Sequence, residues 1–268
     1  MDINTSYTGL QGINPLQSPS SVERLASGLA INSASDDASG LTIATNLGVQ
    51  KSSIAQSLEN MNSGIAMTNI AQSGISSQKE ILENIRTETI KAMNGTLNEN
   101  DRQQIANTIE KYIEQYDNVA EQTSYNGNKL LKTDDTTSDD ISLSTEKSII
   151  KLEKADTLGV SESLKSLLQD FSTNPESMKK MITSVDKGLD TLADYASDFG
   201  SASNLMKSSA RGAITTEKEL AQARSTILDI DYSREVSDFS KSNIMNQIGI
   251  IMQTQANAMQ SKNIALLS

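Results

Sequence analysis

Two groups of aspartates crowd closely enough to do chemistry: Asp36-Asp37, and Asp134, Asp135, Asp139 and Asp140. Carboxylates at such spacing suit a hard cation, but Ca²⁺ wants roughly six to eight oxygens in fixed geometry. Neither group has the glycine-punctuated spacing of a cation-binding loop, so both read as solvated loops. Paired carboxylates can also hydrolyse bonds when one sits in an apolar pocket that raises its pKa. The acids of this chain fall on helix surfaces and in loops instead. There is no cysteine and no histidine, which removes thiolate nucleophiles, disulfides, the commonest general base and the commonest metal ligand. The expectation is a chain that is no enzyme, with no catalytic residue, no metal and no cofactor. A methionine-bearing stripe over 245–259 could be a promiscuous binding face, yet its helical spacing fits a packing seam better.

The elements that would carry these residues are long helices. Only 36% of the 268 residues are hydrophobic and 3% are aromatic, with no tryptophan. A compact globule runs at roughly 45–50% apolar residues and takes much of its buried area from aromatics. Aliphatic seams between long helices need neither. The net charge of −11 repels phosphate backbones, and the densest basic pair is Lys179-Lys180, so nucleic acid is not an expected partner. The longest apolar run, 248–252, is far short of the ~20 residues of a membrane span, so no membrane insertion is expected. The first residues lack the basic start and apolar core of a secretory signal. The protein is therefore expected to stay in the cytoplasm or to leave by a route that cleaves no signal.

Along the chain, Pro15 and Pro19 limit residues 1–21 to short helical pieces. Val22, Leu25 and Leu29 give helical spacing over 22–32, and 33–40 is a turn-rich linker. From Leu41, a stripe of Ile43, Leu47, Ile54, Leu58, Met61, Ile65, Ile75, Leu82, Ile85 and Met93 steps by three, four or seven, which predicts one coiled-coil-like helix. Asn94-Gly95 is placed at its C-terminal end. A second helix starts near Asn98–Asp101, where Asn and Asp cap free N–H groups. It carries Ile105, Ile109, Tyr112, Ile113, Tyr116 and Val119, and Asn126-Gly127-Asn128 ends it. Ile141 and Leu143 alternate with Ser, a strand signal, with 149–152 as partner strand. A short helix is expected over 161–171. Asn174-Pro175-Glu176 opens a third long helix bearing Met178, Met181 or Ile182, Val185, Leu189, Leu192, Phe199, Leu205 or Met206, Leu220 and Ile227. Asp229–Tyr232 interrupts it as a hinge. The helical glycines Gly64, Gly74, Gly188, Gly212 and Gly249 allow two readings, tolerated wobble or close approach of a neighbouring helix.

The last segment is the most telling. From Phe239 to Ser268 there is no acidic residue, and Lys241 and Lys262 are the only cations. Ile, Met, Leu and Ala alternate there with Asn and Gln. A free monomer gains little by showing such a strip to water, and a chain buried against copies of itself gains much. The expected polymer contacts are Val236, Phe239, Ile244, Ile248, Ile251, Met252, Met259, Leu266 and Leu267, and the first expected partner is another copy of this chain.

Several stretches resemble bacterial flagellin. They are Glu23-Arg-Leu-Ala-Ser-Gly-Leu-Ala-Ile-Asn-Ser-Ala-Ser-Asp-Asp-Ala-Ser-Gly-Leu (23–41), Ser63-Gly-Ile-Ala-Met-Thr-Asn-Ile-Ala (63–71), Gln122-Thr-Ser-Tyr-Asn-Gly-Asn-Lys-Leu-Leu (122–131), Ala223-Arg-Ser-Thr-Ile-Leu-Asp-Ile-Asp-Tyr (223–232) and Gln255-Ala-Asn-Ala-Met-Gln (255–260). The resemblance implies a mainly α fold, an elongated coiled-coil-like helical rod with a small β-hairpin region. It divides the chain into an N-terminal inner piece and linker (1–36), two long helices of the rod domain (37–132), its hairpin and short helix (133–175), its C-terminal helix (176–228) and a C-terminal inner piece (229–268). The outer domains are absent. The implied function is a structural subunit of the flagellar filament, secreted through the flagellar type III apparatus. The implied partners are an export chaperone, the filament cap and hook-associated proteins.

Two departures stand out. The prolines at 15 and 19 shorten or kink the usual N-terminal helix, which leaves a hook–filament junction protein, or a secreted minor flagellin acting outside the filament, as alternatives. The positions that match the family's contact with its innate immune receptor hold Asn84, Glu88 and Thr108, where a cation, an apolar anchor and an acid are usual. The resemblance thus implies a chain that this receptor does not detect.

Overall fold

The computed structural model describes residues 18–133, 141–144, 149–152 and 155–267. The readings made for residues 1–17 and for Asp134, Asp135, Asp139 and Asp140 lie outside these. In chain order the elements are α1 (Ser18–Ser27), α2 (Ala38–Ala92), α3 (Glu99–Gln122), β1 (Ser124–Tyr125), β2 (Asn128–Lys129), β3 (Ile141–Ser144), β4 (Ile149–Leu152), α4 (Leu158–Leu168), α5 (Pro175–Leu228) and α6 (Tyr232–Leu267). The fold is mainly α, as expected, with small antiparallel hairpins. Two compact units divide the chain: 53–217, and 1–52 together with 218–268.

Within 53–217, α2 is buried along one line: Ile54, Ser57, Met61, Gly64, Thr68, Ala71, Ile75, Gln78, Leu82, Ile85, Thr89 and Ala92. The steps alternate three and four without a slip, which is the 3.5-residue repeat of a coiled-coil seam. Seven of these twelve positions are Ser, Gly, Thr, Ala or Gln, so a search for large apolar residues alone sees a broken stripe. Met93, expected in the seam, is instead 41% exposed, and so is Ile43 of the other unit, at 49%. Thr68 and Thr89 satisfy their own hydroxyls, donating to Ile65 O (2.9 Å) and Ile85 O (2.7 Å), so small polar residues enter the seam at little cost. α3 buries Ala106, Ile109, Ile113, Tyr116 and Ala120, and α5 buries Met178, Met181, Val185, Leu192, Phe199 and Met206. Together with Leu164 of α4 and Phe171, most of these form one core. The core is mostly aliphatic, and the few aromatics it holds include Tyr116, Phe171 and Phe199.

Gln78 is fully buried in this seam. Its Nε2 donates to Thr157 Oγ1 (2.9 Å) and to Tyr116 O (3.3 Å), and Thr157 Oγ1 donates on to Leu131 O (2.9 Å). One polar residue of α2 thereby fastens α3 and the 155–157 segment.

The ends of these helices follow from local chemistry. Asn98 and Asp101 make a reciprocal capping box at the start of α3, as expected. Asn174 Oδ1 accepts from the Glu176 N–H (3.0 Å) at the start of α5. Two expected ends are corrected. Gly95 is not left-handed; after α2 the Asn94 side chain accepts from the Thr96 N–H (3.2 Å) and turns the chain. Asn126-Gly127 does not terminate α3, which stops at Gln122. These two residues have positive φ (49° and 82°) and form the two-residue turn that joins β1 to β2, paired Tyr125 with Asn128. Positive φ at both central positions matches the twist of a tight hairpin, for which Asn-Gly is the favoured pair. The hairpin delivers Leu130 and Leu131 into the core, 1% and 0% exposed. β3 pairs with β4, Ile141 with Leu152 and Ser144 with Ile149, the expected hairpin.

In the other unit, α1 packs on α6. α1 stops at Ser27, and Leu29, expected on that helix, instead bridges Asp229. The expected interruption near 229–232 is the joint between α5 and α6. There Ala30 N donates to Leu228 O (2.6 Å) and Ile230 N donates to Gly28 O (3.1 Å). Ile31, Ala44 and Leu228 form a small apolar cluster beneath.

The Asp36-Asp37 pair, weighed above as a cation site, is occupied with backbone. Asp36 Oδ2 accepts from the N–H groups of Ser33 (2.9 Å) and Asn32 (3.0 Å), and Asp37 Oδ1 accepts from Gly40 (2.9 Å) and Ser39 (3.0 Å) at the start of α2. The Ser33 and Asn32 donors hold the Asp36 carboxyl below its usual range. A depressed carboxylate stabilises the fold above its unfolded pKa, and that contribution is lost as pH falls through the folded value. Asp36→Asn should therefore melt below the parent at neutral pH, with the gap closing on acidification through the carboxylate range. Melting curves followed by circular dichroism across pH check this; a gap that ignores pH would refute the charge account.

Candidate functional site

The residues expected to carry polymer contacts fall almost entirely on α6. Val236, Ile244, Ile248, Ile251, Met252 and Met259 are all exposed, from 42% at Val236 to 65% at Met252, and Phe239 is half-buried. Leu266 and Leu267 continue the helix; their side chains lie outside the described residues. At 3.6 residues per turn, Ile244, Ile248, Ile251, Met252 and Met259 share one face. Two further apolar residues, which sequence reasoning left out, are as exposed: Met245 beside that face and Ile250, at 68%, on the opposite side. The signal that finds them is the same charge-free stretch, taken around the whole helix and not along one stripe. With no acid after Asp238, no side of the helix beyond is built for water, so every large apolar residue there is a candidate.

A helix apolar on more than one side needs cover on more than one side. α1 packs on α6, and from 244 to 259 only Gly249 is buried and Asn246 half-buried. The strip thus remains largely open in the single chain. Gross burial of an Ile or Met side chain contributes roughly 1.5–3 kcal/mol, so covering the strip on both sides is a large driving force. Among the described residues no group of three acids could hold a metal ion, and no described helix is long and apolar enough to cross a membrane.

The receptor-matched positions lie elsewhere. Asn84 is exposed on α2. Glu88, one turn further, is half-buried and pairs with Lys91 (2.7 Å). Thr108 is exposed on α3, its hydroxyl donating to Gln104 O (3.0 Å).

The segments at 23–41 and 223–232 converge on the joint between α5 and α6. Arg24 donates from Nε and Nη2 to Glu235 Oε1 (3.0 and 2.9 Å). Gly28 takes a left-handed φ of 74°, which closes α1 without a Cβ penalty. The segment at 122–131 is the Asn-Gly hairpin, and Thr123 there abuts Gly74 of α2.

Comparison with known proteins identifies these segments. Residues 6–136 match the model of the bacterial flagellin N-terminal helical region, and residues 182–267 match that of the bacterial flagellin C-terminal helical region. A flagellin of Halalkalibacterium halodurans is 28% identical, the alignment covering 96% of this chain and 94% of that one. A flagellar filament 30.7 kDa core protein of Treponema maltophilum is 27% identical over 96% of this chain and 94% of that protein. Among solved structures, Bacillus cereus flagellin superposes with a TM-score of 0.52 at 21% identity, covering 58% of this chain and 88% of that one, which supports the fold alone.

Proposed function

This chain belongs to the bacterial flagellin family, and from that premise we propose which of its residues assemble the polymer. The protein is a structural subunit of the extracellular flagellar filament, of the short kind without outer domains. The inner layer of the polymer would be built by 1–36 and 229–268, and the rod by 37–132, 133–175 and 176–228. The contacts that drive growth are Val236, Phe239, Ile244, Ile248, Ile251, Met252, Met259, Leu266 and Leu267, joined by Met245 and Ile250. One observation carries this: α6 presents large apolar side chains on opposite sides while lacking any acid from Phe239 onward. Ordering that strip alone costs conformational entropy, and neighbouring subunits return it by burial. The same surface would meet the export chaperone before secretion, and the cap and hook-associated proteins at the filament ends.

Seeded polymerisation of the purified protein followed by electron microscopy tests the proposal. Long filaments are expected. Persistent monomers would overturn it and favour the junction protein or the secreted minor flagellin, readings supported by Pro15 and Pro19 near the start.

The receptor reading extends from Asn84, Glu88 and Thr108. With Glu88 holding Lys91 in place of an apolar anchor, the receptor would meet an anion where it packs a side chain. Weak signalling in reporter cells is expected, and activation at the level of a detected flagellin would refute it.

A further inference from the structure

Methionine is used in two ways in this chain. Met61, Met67, Met178, Met181 and Met206 are all buried within the 53–217 unit. Met245, Met252 and Met259 stand in solvent on α6, from 58% exposed at Met259 to 65% at Met252. These three recur every seven residues. A straight helix drifts only ~20° per heptad, so they lie along one line, about 10.5 Å from one to the next at the helical rise. No charged residue falls between Met245 and Met259.

A thioether is the softest group this chain offers an oxidant. No cysteine, tryptophan or histidine is present to react first. Toward hydrogen peroxide the step is simple. A sulfur lone pair attacks one peroxide oxygen, the S–O bond forms as the O–O bond breaks, and the departing hydroxide takes up a proton and leaves as water. The sulfur is oxidised and the peroxide reduced by the same electron pair. An apolar, flexible side chain becomes a polar, chiral sulfoxide. Packing shields the five core thioethers from this reaction, and nothing of the kind shields the three on α6. A sulfoxide carried into an assembled interface brings a strong acceptor to a surface without charged donors, and a polar group buried without a hydrogen bond costs free energy.

We propose that Met245, Met252 and Met259 are the peroxide-reactive site of this chain, and that their oxidation in the free subunit blocks its addition to a filament. Addition covers the same line and ends its reactivity. The block is reversible, because methionine sulfoxide is reduced by the paired methionine sulfoxide reductases. The assembly half of this account rests on the filament reading; the selectivity of oxidation does not.

The test uses the full chain and hydrogen peroxide. Peptide mass mapping over a time course should show one oxygen added at each of Met245, Met252 and Met259 about tenfold sooner than at Met61, Met67, Met178, Met181 and Met206. Equal rates overturn the proposal. Seeds should elongate about tenfold more slowly with the oxidised subunit than with the untreated one, and treatment with both epimer-specific reductases should bring growth back. Undiminished growth, or a loss that the reductases do not reverse, overturns the block. M93L removes the other exposed methionine among the described residues, and its growth should fall as steeply on oxidation; a variant that resists peroxide would move the site to Met93. Preformed filaments should gain oxygen at the three positions more slowly than free subunits, and equal rates overturn the shielding. A parent that fails to elongate seeds before any peroxide is added sinks the filament reading and the block with it, while the peptide map still decides the site.

Discussion

Cut after Asp238, the protein is expected to stay soluble and helical and to lose filament growth entirely. The buried residues of the 53–217 core are all retained, among them Ile75, Leu82, Ile113, Tyr116, Leu131 and Phe199. Arg24 and Glu235 are retained as well, so the joint can still close. What disappears is the strip from Ile244 onward, with Ile244, Met245, Ile248, Ile250, Ile251, Met252 and Met259 in solvent in the single chain. Each would contribute roughly 1.5–3 kcal/mol on full burial. Adding a subunit costs an estimated 4–15 kcal/mol in lost translation and rotation, and without several of these side chains that cost exceeds the gain. Circular dichroism should show a melting temperature close to the parent's, since exposed residues lend the folded monomer little. Sedimentation of seeded reactions should show no polymer. Growth at the parental rate would place the driving contacts outside α6.

Gly74→Ala should destabilise the rod unit by about 1–3 kcal/mol, whereas Gly212→Ala should stabilise by up to about 1 kcal/mol. The two positions look alike in sequence, both glycines within long helices. A Cβ at Gly74 would come within 2.6 Å of Thr123 Oγ1 and 2.8 Å of Leu131 Cδ1. Neither neighbour can give way, because Thr123 Oγ1 is donating to Val119 O and Leu131 is fully buried. At Gly212 nothing lies within 4 Å, so only the propensity advantage of Ala remains. Thermal melts of both variants should move in opposite directions, by several degrees for Gly74→Ala. Shifts of the same sign would show that the glycines differ only by propensity. Gly188 belongs with Gly74, since Val160 Cγ1 would stand 2.7 Å from its Cβ. The two readings left open in sequence are thus decided at these three positions, close approach at Gly74 and Gly188 and open space at Gly212.

Much of this protein follows from local rules that the sequence states openly. The capping residues Asn98 and Asn174, the Ile141–Leu143 alternation, the break at Asp229–Tyr232 and the charge-free tail all have short-range causes: an N–H that needs an acceptor, a two-residue period, an interruption of a stripe, a helix without charge. Composition sufficed to exclude cysteine and histidine chemistry and a thick core. The flagellin motifs could likewise be read in order along the chain, which is how the function was legible.

Only the tertiary structure decided what those motifs are for. Arg24 finds Glu235 from the far half of the chain, Asn126-Gly127 forms a hairpin turn that drives Leu130 and Leu131 inward, and Gln78 reaches Thr157 across the core. The seam of α2 belongs here too, because a heptad position accepts Thr, Gly or Gln whenever the facing helix supplies room or a partner. Burial is a property of two surfaces meeting. A single sequence lists the residues of each surface, and the long-range contacts that choose among them carry loop-closure and packing terms that no local pattern records.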